Sequence, residues 1–206
     1  MAGTVFFSVS MSLDGFIAPG SSDELMGRRW MELQQWILPL RFFRENLKLG
    51  EGGEEGRDND IARETFERTG ASVMGKRMFD AGERMWPEEA RFHTPVFVVT
   101  HEKRDPWERP GGTVFHFVND GIESALEQAQ AAAGGRDVRI AGGAATILEY
   151  LNAGLVDEFT IALSPVLFGS GIRLFEGVDA DRVALEQVHA EPTQRVTHLT
   201  YKVRER

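Results

Sequence analysis

Apolar residues along this chain follow two rhythms, and the second takes over near residue 155. Before that point, short apolar runs alternate with segments whose apolar residues recur every three to four positions. TVFFSVSM (residues 4–11), ASVMG (71–75), PVFVVT (95–100), TVFHF (113–117) and DVRIA (137–141) read as strands, being β-branched, aromatic or apolar over a short run. PVFVVT is apolar throughout, which suits a strand buried on both faces. Between the fourth and fifth strands, Ile122, Ala125, Leu126 and Ala129 share one helical face, and Asn119 or Asp120 precedes them as a candidate cap. Ala144, Ile147, Leu148 and Leu151 repeat that spacing, and the run stops at Gly154, a natural C-terminal cap. Such alternation of strand and helix predicts a mostly parallel sheet with helices packed on it.

Beyond residue 155 the period falls to two. In VDEFTIALS, Phe159, Ile161 and Leu163 alternate with Glu158, Thr160 and Ala162; in RVTHLTYKV, Thr197, Leu199, Tyr201 and Val203 alternate with Val196, His198, Thr200 and Lys202. This pattern predicts antiparallel strands with one face on the core. The fold class is therefore α/β: a mostly parallel sheet flanked by helices and finished by antiparallel strands. Ligands of such sheets bind outside the carboxyl ends of the parallel strands.

Residues 20–58 break the rhythm and read as a helical and loop insertion in a single domain spanning 1–206. Trp30, Leu33, Ile37 and Leu40 lie on one helical face, although Pro39 should divide that helix. GEGGEEGRDND (50–60) follows as a loose polar loop. The aromatic stripe either packs on the core or covers a substrate.

Composition narrows the chemistry. With 206 residues, 42% of them hydrophobic, the chain has enough material for one sizeable core. No apolar run approaches the roughly 18 residues of a membrane span, and the N-terminus lacks the pattern of a secretion signal, so the chain reads as soluble and cytoplasmic. The absence of cysteine excludes disulfides and thiolate chemistry. A net charge of -9 argues against nucleic acid or an anionic membrane as the main partner. His93, His101, His116, His189 and His198 are scattered without ligand spacing, so no metal site is predicted. Ser8, Ser10 and Ser12 lack the G-x-S-x-G elbow of a hydrolase.

Three strand ends carry the candidate chemistry. Gly142 and Gly143 stand between a strand and a helix, where they serve either as a tight turn or as bare backbone through which a phosphate meets the helix N-terminus. In VMGKRMFD, Gly75 precedes Lys76 and Arg77 at the start of a short helix, a poor place for cations unless an anion joins them. VVTHEKRD ends a third strand with Thr100, His101, Lys103 and Arg104. Three such ends suit a ligand with several phosphates, and a dinucleotide phosphorylated on its ribose fits better than a simple phosphate. Neither G-x-G-x-x-G nor G-K-[ST] is present.

VSMSLDGFIA, VMGKRMFD, VFVVTHEK and RIAGGAATILEYLNAGLVDEFTIALSPVLFGSGIRLF, in that order, resemble the dihydrofolate reductase-like fold family. The resemblance is to the branch holding the reductase domain of the riboflavin-biosynthesis deaminase-reductase and its stand-alone relatives. It implies a three-layer fold, NADPH as cofactor, a homodimer, and hydride transfer to a C=N or C=O carbon of a pterin-like or ribosylaminopyrimidine-type heterocycle. It places Gly75, Lys76 and Arg77 at the cofactor phosphates, and Thr100, His101 and Lys103 at the adenosine ribose with its 2′-phosphate. Gly142 and Gly143 would lie beside the pyrophosphate, at a peptide that is cis in dihydrofolate reductases, with Ala144, Ala145 and Thr146 supplying helix-end N–H groups. Ile17 and Ala18 would line the nicotinamide. Asp14, in SLDG, is a candidate proton donor or else a turn residue before Gly15. Asp60 is a second candidate or else a helix cap. Ala141 departs from the riboflavin-pathway pattern, which has an acidic residue immediately before the paired glycines. The alternative reading is a nucleotide- or flavin-binding module that keeps the fold without the chemistry.

Overall fold

The computed structural model describes residues 3–20, 27–89 and 92–205, so residues 21–26 of the predicted insertion lie outside the described residues. In chain order the elements are β1 (Val5–Ser12), β2 (Phe16–Ala18), α1 (Arg28–Gln34), α2 (Arg41–Asn46), α3 (Arg57–Arg68), β3 (Thr69–Gly75), α4 (Lys76–Glu83), β4 (Pro95–Val99), β5 (Trp107–Glu108) and β6 (Val114–Val118). They continue with α5 (Ile122–Ala133), β7 (Asp137–Gly142), α6 (Ala144–Asn152), β8 (Glu158–Ser164), β9 (Ile172–Arg173), β10 (Val183–Pro192) and β11 (Thr197–Glu205). Every strand read from the sequence forms, with ends shifted by a residue or two.

Nine strands make one sheet in the order β10-β11-β8-β1-β7-β3-β4-β6-β5. From β1 through β7, β3 and β4 to β6 all neighbours are parallel, which brings the carboxyl ends at Ser12, Gly142, Gly75 and Val99 to one edge. The core binds the layers to each other. Phe7 of β1 stacks on Phe159 of β8 at 4.6 Å, and the buried Tyr150 of α6 donates its hydroxyl to Ile122 O at 2.6 Å, tying α6 to α5. Among the described residues no helix is long and apolar enough to cross a membrane.

Three local expectations change. β8 is parallel to β1 and antiparallel only to β11. Period-two alternation records which face meets the core, and strand direction is set by the partner. Asn119 and Asp120 do not cap α5; the cap position is Gly121 at φ 100°, and Asn119 instead donates to Thr100 O and Glu102 O at 3.0 and 2.9 Å. The polar stretch 50–60 is tied down, since Glu54 bridges Leu40 through bonds from Arg41 N to Glu54 O (2.9 Å) and from Glu54 N to Pro39 O (2.8 Å). Its last four residues already belong to α3.

Pro39 does divide the predicted helix, leaving α1 and α2 separate. Of the predicted stripe, Leu33 and Leu40 are buried while Trp30 and Ile37 are half-buried, and Leu40 packs with the buried Trp36 and Phe43 against Ala62 of α3, Ala162 of β8 and Val196. Leu33 is buried against Phe16 and Phe168.

Candidate active site

Two helices start side by side at the strand ends. β3 passes directly into α4, with Gly75 as cap and Lys76 as first helical residue, and β7 passes into α6 with Gly143 as cap. The strands are neighbours, with Met74 opposite Gly142. Backbone contact is close enough that a Cβ on Gly75 would overlap Thr146 Oγ1, so the sequence needs glycine there to seat one helix start against the other. Gly142 has φ +122°, a conformation side chains rarely adopt, and the Gly142–Gly143 peptide is cis.

Gly143 faces open space, for a Cβ there would meet nothing within 4 Å. The first intrahelical bond of α6 runs from Ile147 N to Gly143 O (3.0 Å) and no side chain caps the helix. Its leading N–H groups, those of Ala144, Ala145 and Thr146, therefore have no partner within the helix. Bare backbone beside uncapped N–H groups fits a pyrophosphate.

The cations at these ends are engaged within the chain. Lys76 Nζ lies 2.7 and 2.8 Å from the two oxygens of Asp80 and 3.1 Å from Glu102, and these partners, Asp80 foremost, raise its pKa. The cation at the positive end of α4 is thus compensated by protein carboxylates. Arg77 Nη2 donates to Gly20 O at 3.3 Å. Thr100 N donates to Val118 O at 3.0 Å, while His101 and Lys103 stand exposed on the turn that follows. Arg104 turns away to Glu83 (2.7 Å) and lies over the rings of Phe117 and Phe79 at 4.8 and 5.3 Å.

Asp14 is not a free acid. Its carboxylate accepts from Ser12 Oγ (2.6 Å), Phe168 N (3.0 Å) and Gly169 N (2.7 Å). The Ser12 hydroxyl chiefly, with the two backbone N–H groups, outweighs desolvation and lowers its pKa to about 2. An ionised carboxylate is an acceptor only, so at neutral pH Asp14 supplies no proton; it orders the glycine loop after β8. Arg173 Nη1 donates to Asp14 O at 2.9 Å, and β2 pairs with β9, which pins Ile17 and Ala18 to that loop.

The depressed pKa makes the anchor pH-dependent with a definite sign. Its contribution is complete above the ordinary value of 3.8 and disappears as pH falls towards about 2. The protection factors of the Phe168 and Gly169 amides, exchange rates corrected for intrinsic pH dependence, are expected to hold down to about pH 4 and to fall below it. In Asp14→Asn the same amides should exchange faster at neutral pH, without that acid step. An identical pH profile in both proteins would remove the carboxylate from this role.

Asp60 is neither buried acid nor cap. The cap of α3 is Gly56, and Asp60 sits half exposed in its first turn, 3.6 Å from Arg63. The more enclosed acid of that turn is Asp58, whose Oδ1 lies 2.7 Å from Nε2 of the buried His198 on β11. The edge of Trp36 meets the His198 ring at 5.1 Å, Trp36 Nε1 donates to Ser10 Oγ at 2.8 Å, and Ser10 Oγ donates to Gln34 Oε1 at 3.1 Å. Sequence reasoning missed this polar seam. Asp58 and His198 are 140 positions apart with no spacing signal, whereas the Lys76–Asp80 pair was available as an i,i+4 contact on a predicted helix.

Strand order and the adjoining helix starts at the parallel strand ends give the dihydrofolate reductase-like fold, as the resemblance implied. The chain belongs to the RibD C-terminal domain family, whose model matches residues 3–199. YyaP of Bacillus subtilis (strain 168), described as uncharacterized, is 37% identical over 73 residues, a match spanning 35% of this chain and only 38% of YyaP. A Shewanella sp. PV-4 protein named for riboflavin biosynthesis superposes with a TM-score of 0.65 at 22% identity, covering 99% of each chain. Dihydrofolate reductase from Enterococcus faecalis, solved with NADP(H), gives 0.58 at 15% identity over 98% of each chain. Acinetobacter baumannii RibD gives 0.59 at 15% identity, over 98% of this chain and 58% of that one. At these identities the structural likenesses establish the fold.

Proposed function

We propose that this protein is an NADPH-dependent reductase acting on a pterin-like or ribosylaminopyrimidine-type heterocycle. The observation that carries the reading is the pair of adjoining helix starts at Gly75–Lys76 and Gly143–Ala144, with Gly143 open to solvent space. Family membership and the NADP(H) bound to a relative of the same fold support the choice of cofactor.

A bound NADPH would supply the hydride. Residues of this chain would do the rest. The N–H groups of Ala144, Ala145 and Thr146 would hold the pyrophosphate, and Lys76, Arg77, His101 and Lys103 lie near enough to the strand ends to meet the ribose phosphate. Ile17 and Ala18, fixed through β2 to the glycine loop, would border the nicotinamide and keep water from it. Asp14 acts by positioning that loop, so the proton for the reduced substrate comes from another source.

The state of Asp14 and Asp60 also favours a second reading, a nucleotide- or flavin-binding module without turnover, since neither residue is a poised acid. Substrate-dependent oxidation of NADPH, screened over pterins and pyrimidines, separates the two. The cofactor itself is tested by calorimetry at fixed salt with NADPH and NADH. Replacing both Lys76 and Arg77 with alanine is expected to weaken NADPH by roughly 10-fold to 100-fold, the worth of one charge-assisted contact, and NADH far less. Equal losses for the two cofactors would mean that these cations do not read the 2′-phosphate.

A further inference from the structure

Lys76 is held by two carboxylates of different character. Asp80 lies one turn along the same helix and grips the ammonium with both oxygens. Glu102 reaches it from the turn after β4, at 3.1 Å, with a side chain 70% exposed. An exposed contact of this kind is weak and readily exchanged for another anion. The backbone that presents it is nevertheless fixed. Thr100 Oγ1 accepts from Glu102 N at 3.0 Å, and Asn119 Nδ2 clamps both Thr100 O and Glu102 O.

We propose that Glu102 is a specificity-determining residue that competes with the ribose 2′-phosphate of the cofactor for Lys76 and so narrows the preference for NADPH over NADH. This rests on the cofactor reading above. An ammonium has three N–H donors, and here Asp80 occupies two positions around it and Glu102 a third. A 2′-phosphate, carrying nearly two negative charges, engages Lys76 only by displacing Glu102, which then stays close by as a like charge on a clamped turn. A ribose bearing only hydroxyls meets no such conflict, because a carboxylate at a strand end accepts a hydrogen bond from the 2′-hydroxyl. Lys103, exposed on the same turn, supplies the positive charge that keeps the phosphate admissible, and His101 beside it offers a ring N–H. Arg104 adds nothing there, being committed to Glu83.

The test is calorimetric titration of the full chain and of Glu102→Gln with NADPH and with NADH, at low and at high salt. Glutamine keeps the length and hydrogen-bonding capacity while removing the charge. NADPH is expected to bind about 5-fold to 10-fold more tightly to the variant, while NADH is unchanged or weaker. The gain should shrink at high salt, since the removed repulsion is screened, and the melting temperature should not move. Parallel shifts for the two cofactors, or an unchanged ratio with both still bound, would overturn the role of Glu102 and leave the cofactor reading intact. Failure of both proteins to bind either cofactor would overturn both.

Discussion

Replacing Phe79 with alanine is expected to destabilise the protein by about 3–5 kcal/mol, the usual cost of emptying a large buried aromatic site. For a chain of this size that corresponds to a melting temperature lower by roughly 6–20 °C. Phe79 is fully buried and is the only buried residue of α4. Its ring meets Phe117 at 5.1 Å, Phe115 at 5.2 Å, Trp86 at 5.9 Å and Trp107 at 6.1 Å, in edge-to-face arrangements that aromatic pairs favour. One side chain therefore seats the eight-residue helix that presents Lys76 and Arg77. Thermal unfolding followed by circular dichroism measures the loss, and Phe79→Leu, which keeps most of the volume, should recover much of it. A loss below about 1 kcal/mol in Phe79→Ala would mean that α4 is held by its backbone junction with β3 rather than by the aromatic cluster.

Trp36→Ala should cost a similar amount, about 3–5 kcal/mol, and for a reason that bears on the role of the segment between β2 and α3. The indole is buried, donates to Ser10 Oγ, and meets His198 edge-on. It packs with Leu40 and Phe43 against α3 and β8. Removing it leaves a cavity between the segment and the sheet. A melting temperature lower by roughly 6–20 °C identifies the segment as part of the core. Trp36→Phe should lose much less, since it keeps most of the ring and gives up one hydrogen bond worth about 1 kcal/mol. An alanine variant that melts like the wild type but binds ligands differently would make the segment a cover over the site.

Phe79 and Trp36 belong to separate buried clusters, and comparison with the sequence shows why one region was easier to foresee. At the edge proposed to take the cofactor, the candidate residues are consecutive in sequence. Gly142 takes a φ of +122° that side chains rarely adopt, Gly143 leaves open space at the helix start, and a Cβ on Gly75 would overlap Thr146, so local pattern and site coincide at these strand-to-helix corners. At the other edge the contacts join distant positions, as Ser10 with Trp36 and Asp58 with His198. Asp58 and Asp60 fall on the first turn of one helix, and only the packing of β11 and Trp36 decides that Asp58 is the more enclosed of the two.

The same division holds for the whole molecule. Periodicity in the sequence determined the strands, the helices on the sheet, the break at Pro39 and the glycine corners, because each depends on neighbours a few positions away. Tertiary structure alone decided that β8 runs parallel to β1, that Asp14 is an ionised loop anchor, and that Glu102 stands against Lys76. Strand direction, the hydrogen-bonded anchoring of a carboxylate and pairing of charges all depend on which distant segment arrives opposite, and hydropathy along one chain carries no record of that.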